Sequence, residues 1–167
     1  MIAALAIAAV TIPSSPDLGQ AEGRCRAHES GPSFDVSVEG LKDRTGNLKL
    51  EVYPANETDF LADDNVLVGA GKTFRRVVVS TPASGAVRLC VRLPGPGRYG
   101  VSLLHDRDSD RKFNWRIDGI GFAGNPKLGW GKPRAAVASA DAGSGPTPLS
   151  ITLNYRRGLG VAPLPRR

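Results

Sequence analysis

Residues 87–106 read VRLCVRLPGPGRYGVSLLHD. Val87, Leu89, Val91 and Leu93 alternate with Arg88, Cys90 and Arg92, so an extended chain puts the four aliphatic side chains on one face. After Pro94-Gly95-Pro96-Gly97 the same rhythm resumes at Tyr99, Val101 and Leu103. Proline presets one backbone angle and glycine permits the other, so the middle of the stretch is a turn between two strands. Residues 95–100 also match the letters of the dinucleotide fingerprint, but that fingerprint needs a helix opening after the turn, and here a strand pattern follows.

The period of two extends outward in both directions. Phe34, Val36 and Val38 alternate with polar residues, as do Leu48, Leu50 and Val52, and later Ile151, Leu153 and Tyr155. Val77-Val78-Val79 adds a β-branched run. Turn residues separate these runs at 42–47, 82–85 and 94–97. With Gly 20 and Pro 13 in 167 residues, the composition suits many short elements rather than long helices. The expectation is an all-β fold: an antiparallel β-sandwich of about seven strands with one long loop. Residues 56–71 leave room for a short helix or turn around 58–61, and residues 135–140 read as a short helix or an edge strand. Residues 107–148 carry no clear period but hold both tryptophans, Trp115 and Trp130, so an ordered loop is expected there.

Residues 2–12 are apolar except Thr11 and end at Pro13. The run matches a signal-peptide core and is shorter than the ~20 residues of a membrane helix. Gly19 and Ala21 are small at the two positions a signal peptidase reads, so residues 1–21 are expected to be a signal peptide cut after Ala21, although no Lys or Arg precedes the apolar run; a buried N-terminal strand or helix is the alternative. No lipobox precedes Cys25. This leaves a domain at 22–157 and a basic, flexible tail at 158–167. Export to an oxidising compartment makes Cys25 and Cys90 a disulfide pair, with two free thiols as the alternative. The net charge of +6 is scattered, which suits a solvated surface. Nucleic acid is not expected as a partner of an exported chain, and a peripheral membrane contact stays open.

Two chemical motifs compete for notice. Gly69-Ala70-Gly71-Lys72-Thr73 ends like a phosphate-binding loop, but Val66 stands where the first glycine belongs and a β-branched run follows instead of a helix. Residues 105–115, HDRDSDRKFNW, place Asp106, Asp108 and Asp110 at alternate positions. Calcium takes about six to eight oxygens, and alternating aspartates supply them from a turning loop. The EF-hand pattern fails at Arg111, where glycine belongs, and at Ile117, where glutamate belongs. A looser calcium site from Asp106, Asp108, Asp110 and Asp118 remains the candidate metal set, and Ca2+ the one candidate cofactor. The alternative is a turn whose carboxylates are neutralised by Arg107, Arg111 and Lys112. His105 beside Asp106 raises general-base chemistry with Ser102 or Ser109. Ser102 and His105 stand three apart on a strand, however, which points them to opposite faces.

Several pieces then fall in one order: Val38-Glu39-Gly40-Leu41, Thr45-Gly46-Asn47-Leu48, Leu93 to Tyr99, His105-Asp106 with its polar run and Lys112-Phe113, Gly121-Phe122, Asn125, and Gly131-Lys132-Pro133. The order resembles bacterial domain-of-unknown-function family 2141 from about Phe34 to Tyr155. The resemblance implies an exported, immunoglobulin-like or prealbumin-like sandwich, with no activity attached. Members often carry Asn and Gly where this chain has Asp108 to Arg111, and Ser-Asn where it has Ala123-Gly124. Hydroxyisourate hydrolase, an enzyme with a prealbumin-like fold, ends in Tyr-Arg-Gly-Ser; Tyr155-Arg156-Arg157-Gly158 echoes that only in part.

The sequence therefore reads as a periplasmic or secreted, monomeric, non-catalytic binding or accessory module of a Gram-negative envelope. Its expected ligand-binding residues are His105, Trp115, Phe122, Asn125 and Trp130, with a glycan or another envelope component as partner. The alternatives are a small hydrolase using His105 and Asp106, and a purely structural protein.

Overall fold

The computed structural model describes residues 11–165. Most of the expected signal-peptide core, residues 1–10, lies outside the described residues. Ten strands form: β1 Ser33–Glu39, β2 Asn47–Pro54, β3 Arg75–Ser80, β4 Val87–Arg92, β5 Gly97–Asp106, β6 Gly119–Phe122, β7 Ser139–Ala142, β8 Pro146–Thr152, β9 Asn154–Arg157 and β10 Gly160–Pro163. Two short helices, α1 Gln20–Gly23 and α2 Asp64–Gly69, and a 3-10 turn at Ala135–Val137 complete the described elements.

The strands lie in two sheets. One has three strands in the order β4-β1-β8; the other has seven, in the order β10-β9-β6-β5-β2-β3, with β7 paired to β5. The alternating residues face each other across the gap. Phe34, Val36, Leu48, Leu50, Val52, Leu89, Val91, Val101, Leu103, Ile151 and Leu153 form one core, nearly all of it inaccessible to water. Strands with one aliphatic face each can bury it only against another sheet, which is why the pattern makes a sandwich.

The sandwich class matches the expectation; three details differ. There are ten strands rather than about seven, because β6, β7 and β10 are four-residue strands too short to show a period. The sandwich is not purely antiparallel: β1 runs parallel to β8, with Ser33 opposite Pro146 and Glu39 opposite Thr152. The chain between them, residues 40–145, runs through the other sheet before it returns, which gives the parallel pairing its long crossover. The expected flexible tail is in part a strand, since β10 pairs with β9 from Gly160–Arg157 to Pro163–Asn154.

Local geometry explains the smaller departures. Around 58–61 the turn forms rather than the helix, Leu61 closes it with a left-handed φ of 62°, and the helix of this stretch follows at Asp64–Gly69. Residues 135–142 contain both alternatives in succession, a 3-10 turn and then β7. The single alternating run at 151–155 is split between sheets: Leu153 sits between β8 and β9, and its N–H donates to the Glu39 carbonyl at 3.0 Å. Cys25 and Cys90 are bonded, with their Cα atoms 5.9 Å apart. A crosslink closing a loop of this length stabilises by at most about 4 kcal/mol in the chain-entropy account.

Candidate functional site

The seven-stranded sheet has a second face. Strand alternation turns Leu48, Leu50, Val101 and Leu103 inward, so Lys49, Glu51, Ser102, Leu104 and Asp106 must point outward. Leu104 is the residue that breaks the polar pattern, and it is 4% exposed. It joins a second buried cluster with Tyr53, Phe60, Leu67, Phe74, Ile120, Phe122, Ala135 and Ala138. Three aromatic pairs pack edge-to-face in it: Tyr53 with Phe60 and with Phe74, and Phe60 with Phe122.

This cover stops short of the whole face. Beside it lies a mostly apolar cleft of about 630 Å³. Its floor is Ser102 and Leu104 of β5 with Ile120 and Phe122 of β6; Phe113 and Trp115 form one wall, Leu128 to Pro133 another, and Leu159 and Val161 of the last hairpin a third. Trp130 stands at the rim with 86% of its surface exposed. Lys49, Glu51 and Lys132 are the charged side chains of the lining. The guanidinium carbons of Arg116 and Arg156 lie 5.5 and 5.2 Å from the ring centre of Trp115.

Of the five ligand residues expected from sequence, the fold brings three to this cleft: Trp115, Phe122 and Trp130. The other two lie elsewhere. Asn125 is engaged by β8 and its end: its amide donates to the Ser150 carbonyl at 3.1 Å and its oxygen accepts from the Thr152 N–H at 2.7 Å. His105 is fully buried on the inner face. Its Nε2 lies 2.8 Å from the Thr45 carbonyl and its Nδ1 2.7 Å from the Tyr155 hydroxyl. A ring nitrogen facing a carbonyl must donate, so Nδ1 accepts from Tyr155 Oη, which in turn accepts the Lys42 N–H at 3.1 Å. Burial pulls the imidazole below its ordinary value, against the Thr45 hydrogen bond and the Asp43 charge. Burial also pushes the Tyr155 phenol up to about 12. Both nitrogens are spent on structure, and Ser102 lies on the opposite face, so the geometry offers no His–Ser pair for hydrolysis.

Asp106, Asp108, Asp110 and Asp118 do converge: one oxygen of each lies within 4.8 Å of the others. The loop between them is closed by backbone donors. Asp106 accepts the N–H groups of Asp110 and Arg111, and Asp118 accepts those of Arg107 and Asn114. Arg107, one of the three cations expected to neutralise the cluster, turns its guanidinium elsewhere. Arg107 pairs with Asp43 at 2.6 Å and donates to the Ile117 carbonyl at 2.7 Å. Asp43 is held well below the usual carboxylate range: partial burial opposes this, but hydrogen bonds from Arg107 and Thr45 outweigh it. Asp106 is pushed up, first by burial and then by the charges of Asp118 and Asp108, against the Arg111 hydrogen bond. Arg111 adopts a φ of 70°, the left-handed conformation that glycine takes in calcium loops. An all-oxygen set of carboxylates suits a hard cation such as calcium. Gly46 pins this loop to the β2 side, for a side-chain carbon there would come within 2.7 Å of the Arg107 Cα.

The missed site residues are Leu104, Phe113, Ile120, Leu128, Leu159 and Val161. Only Leu104 left a signal, as the second leucine in Leu103-Leu104 where alternation calls for a polar residue.

The family described as an uncharacterized protein conserved in bacteria (DUF2141) matches residues 36–150. The chain belongs to this family. The matched span of the DUF2141 domain starts within β1 and ends within β8, so it takes in β5, β6, the aspartate loop and most of the cleft lining, but not the β9–β10 hairpin that closes the third wall. No curated protein and no solved structure matches the chain.

Proposed function

We propose that this DUF2141 protein is an exported, non-catalytic binding module of the bacterial envelope, periplasmic or secreted, whose outer cleft takes a glycan or another envelope component with an apolar ring face. The observation that carries this reading is the cleft itself. It is of ligand size, walled by aromatics, and carries polar groups at its edge. A tryptophan as exposed as Trp130, beside a half-buried Trp115, offers flat surface that soluble domains otherwise cover. The Cys25–Cys90 bond suits an oxidising compartment. Calcium is the proposed ion of the aspartate loop, which carries Phe113 and Trp115 into the cleft wall.

The test is a titration of oxidised protein with envelope glycan fragments, followed by tryptophan fluorescence, in chelator and again in millimolar calcium. Saturable quenching lost in Trp130→Ala supports the reading. An unchanged spectrum with every fragment favours a purely structural role. A calcium-dependent change at Trp115, lost in Asp108→Asn, supports the ion; identical curves with and without calcium reject it.

A further inference from the structure

The segment before Cys25 is built into the fold. The Asn65 side chain donates to the Ile12 carbonyl at 3.0 Å. The Ser14 hydroxyl, the Asn65 N–H and Arg76 together hold Asp64 below its ordinary range, although burial pushes the other way. Arg76 lies at the centre. Its side chain is 11% exposed, and it donates to Glu51 at 2.8 Å, Asp64 at 3.1 Å, the Ser15 carbonyl at 2.9 Å and the Pro16 carbonyl at 3.2 Å. Two of the four acceptors of this buried guanidinium therefore come from the segment. A buried charge stripped of acceptors is costly.

The segment also covers an edge. β3 ends its sheet, and the Arg76 N–H, which would otherwise face solvent, donates to the Gly19 carbonyl at 3.0 Å. Gly19 has a φ of 76°, and a side-chain carbon there would lie 2.8 Å from the Phe74 ring. Gly23 is equally tight, 2.9 Å from the Arg76 carbonyl. Leu18 packs on the outer aromatic cluster. Beyond α1 the chain bridges Arg24 to Val91 of β4 and then bonds Cys25 to Cys90, so the strap joins the edges of both sheets.

These contacts give Gly19 a reason to be small that has nothing to do with a peptidase. We infer that residues 12–23 are a structural strap retained in the mature protein, and that no signal-peptidase cut is made after Ala21 or elsewhere within the strap. Export precedes folding, so the helix does not shield Ala21 from cleavage; the argument is that a chain beginning at Glu22 lacks acceptors and edge cover that the fold uses. The cleavage half of this inference rests on the export reading above; the strap half does not.

Two measurements decide it. The full chain is expressed in a Gram-negative host and the exported product is weighed intact. A mass corresponding to a start at or before Ile12 is expected; a later start, at Glu22 above all, overturns the inference while leaving export in place. An uncut cytoplasmic product overturns export and the cleavage half with it, and the strap is then judged alone. For that, oxidised chains starting at Ile12 and at Glu22 are melted side by side, with Gly19→Val in the longer chain as a variant that keeps every residue of the strap's backbone. The Glu22 chain and Gly19→Val are each expected to lose on the order of 5–10 °C in Tm. Equal melting of all three overturns the strap.

Discussion

The two faces of the seven-stranded sheet are built from the same strands and do different things. The inner face meets another sheet along its length, and its aliphatic side chains are covered throughout. The outer face meets loops: residues 56–74 and 123–138 lay an aromatic cluster over part of it and leave the rest as a cleft. β5 belongs to both, with Val101 and Leu103 on one side and Leu104 on the other, all buried. A sheet packed on a sheet has no room for a ligand. A sheet covered by loops has one wherever the loops stop. His105 and Asp106 repeat the contrast at the scale of adjacent residues: one is locked inward between Thr45 and Tyr155, the other faces the loop that reaches the cleft.

The sharpest way to break this division is from the inside. Leu103→Ala should cost about 2–5 kcal/mol by denaturant unfolding, as expected for a fully buried leucine, and leave tryptophan quenching by ligand unchanged in the folded fraction. Loss of binding without loss of stability would mean that the faces are coupled. The inner face should also carry a pH dependence. His105 has its folded pKa depressed by burial, so the unfolded chain binds the proton first and stability is fully present only above the unfolded value of about 6.5. Unfolding free energy should fall as pH drops from 7 toward 5, with a slope of up to about 1.4 kcal/mol per pH unit. A flat profile over that range, or one unaltered by His105→Gln, contradicts the neutral, doubly bonded imidazole.

On the outer side the effects on stability are smaller. Arg111→Gly should stabilise by about 1 kcal/mol, since it relieves a left-handed backbone that a side chain disfavours; a lower Tm would show that the arginine side chain holds the loop. Trp130→Ala should change stability by less than about 0.5 kcal/mol, because the ring is exposed, yet lower ligand affinity at least tenfold in the fluorescence titration. Equal affinity would move the binding surface away from the cleft.

The inner half of the fold was legible because it rests on a local rule. Val36, Leu50, Val91, Val101 and Leu103 advertise their face through their immediate neighbours, and the turn at 94–97 announces where the strand reverses. The disulfide was readable more simply, because the chain holds two cysteines and one way to pair them. The outer half was not. Phe60, Phe74, Phe122 and Leu128 belong to stretches without a period, and nothing local says that they meet over Leu104. The placement of His105 and Asn125 away from the cleft was not legible either, because a polar side chain in a loop-like context looks the same whether it faces a cleft or a neighbouring carbonyl.

Alternation at a period of two is a property of consecutive residues. The identity of the chain as a two-layered β protein, and which side chains point into its core, therefore follow from the order of residues alone. The parallel pairing of β1 with β8, the use of residues 12–23 as an edge strap, the meeting of four aspartates and the cleft beside the aromatic cluster depend on contacts between segments tens of residues apart. Those contacts are selected by shape, burial and hydrogen-bond satisfaction in the assembled molecule, and no stretch of the chain carries them by itself.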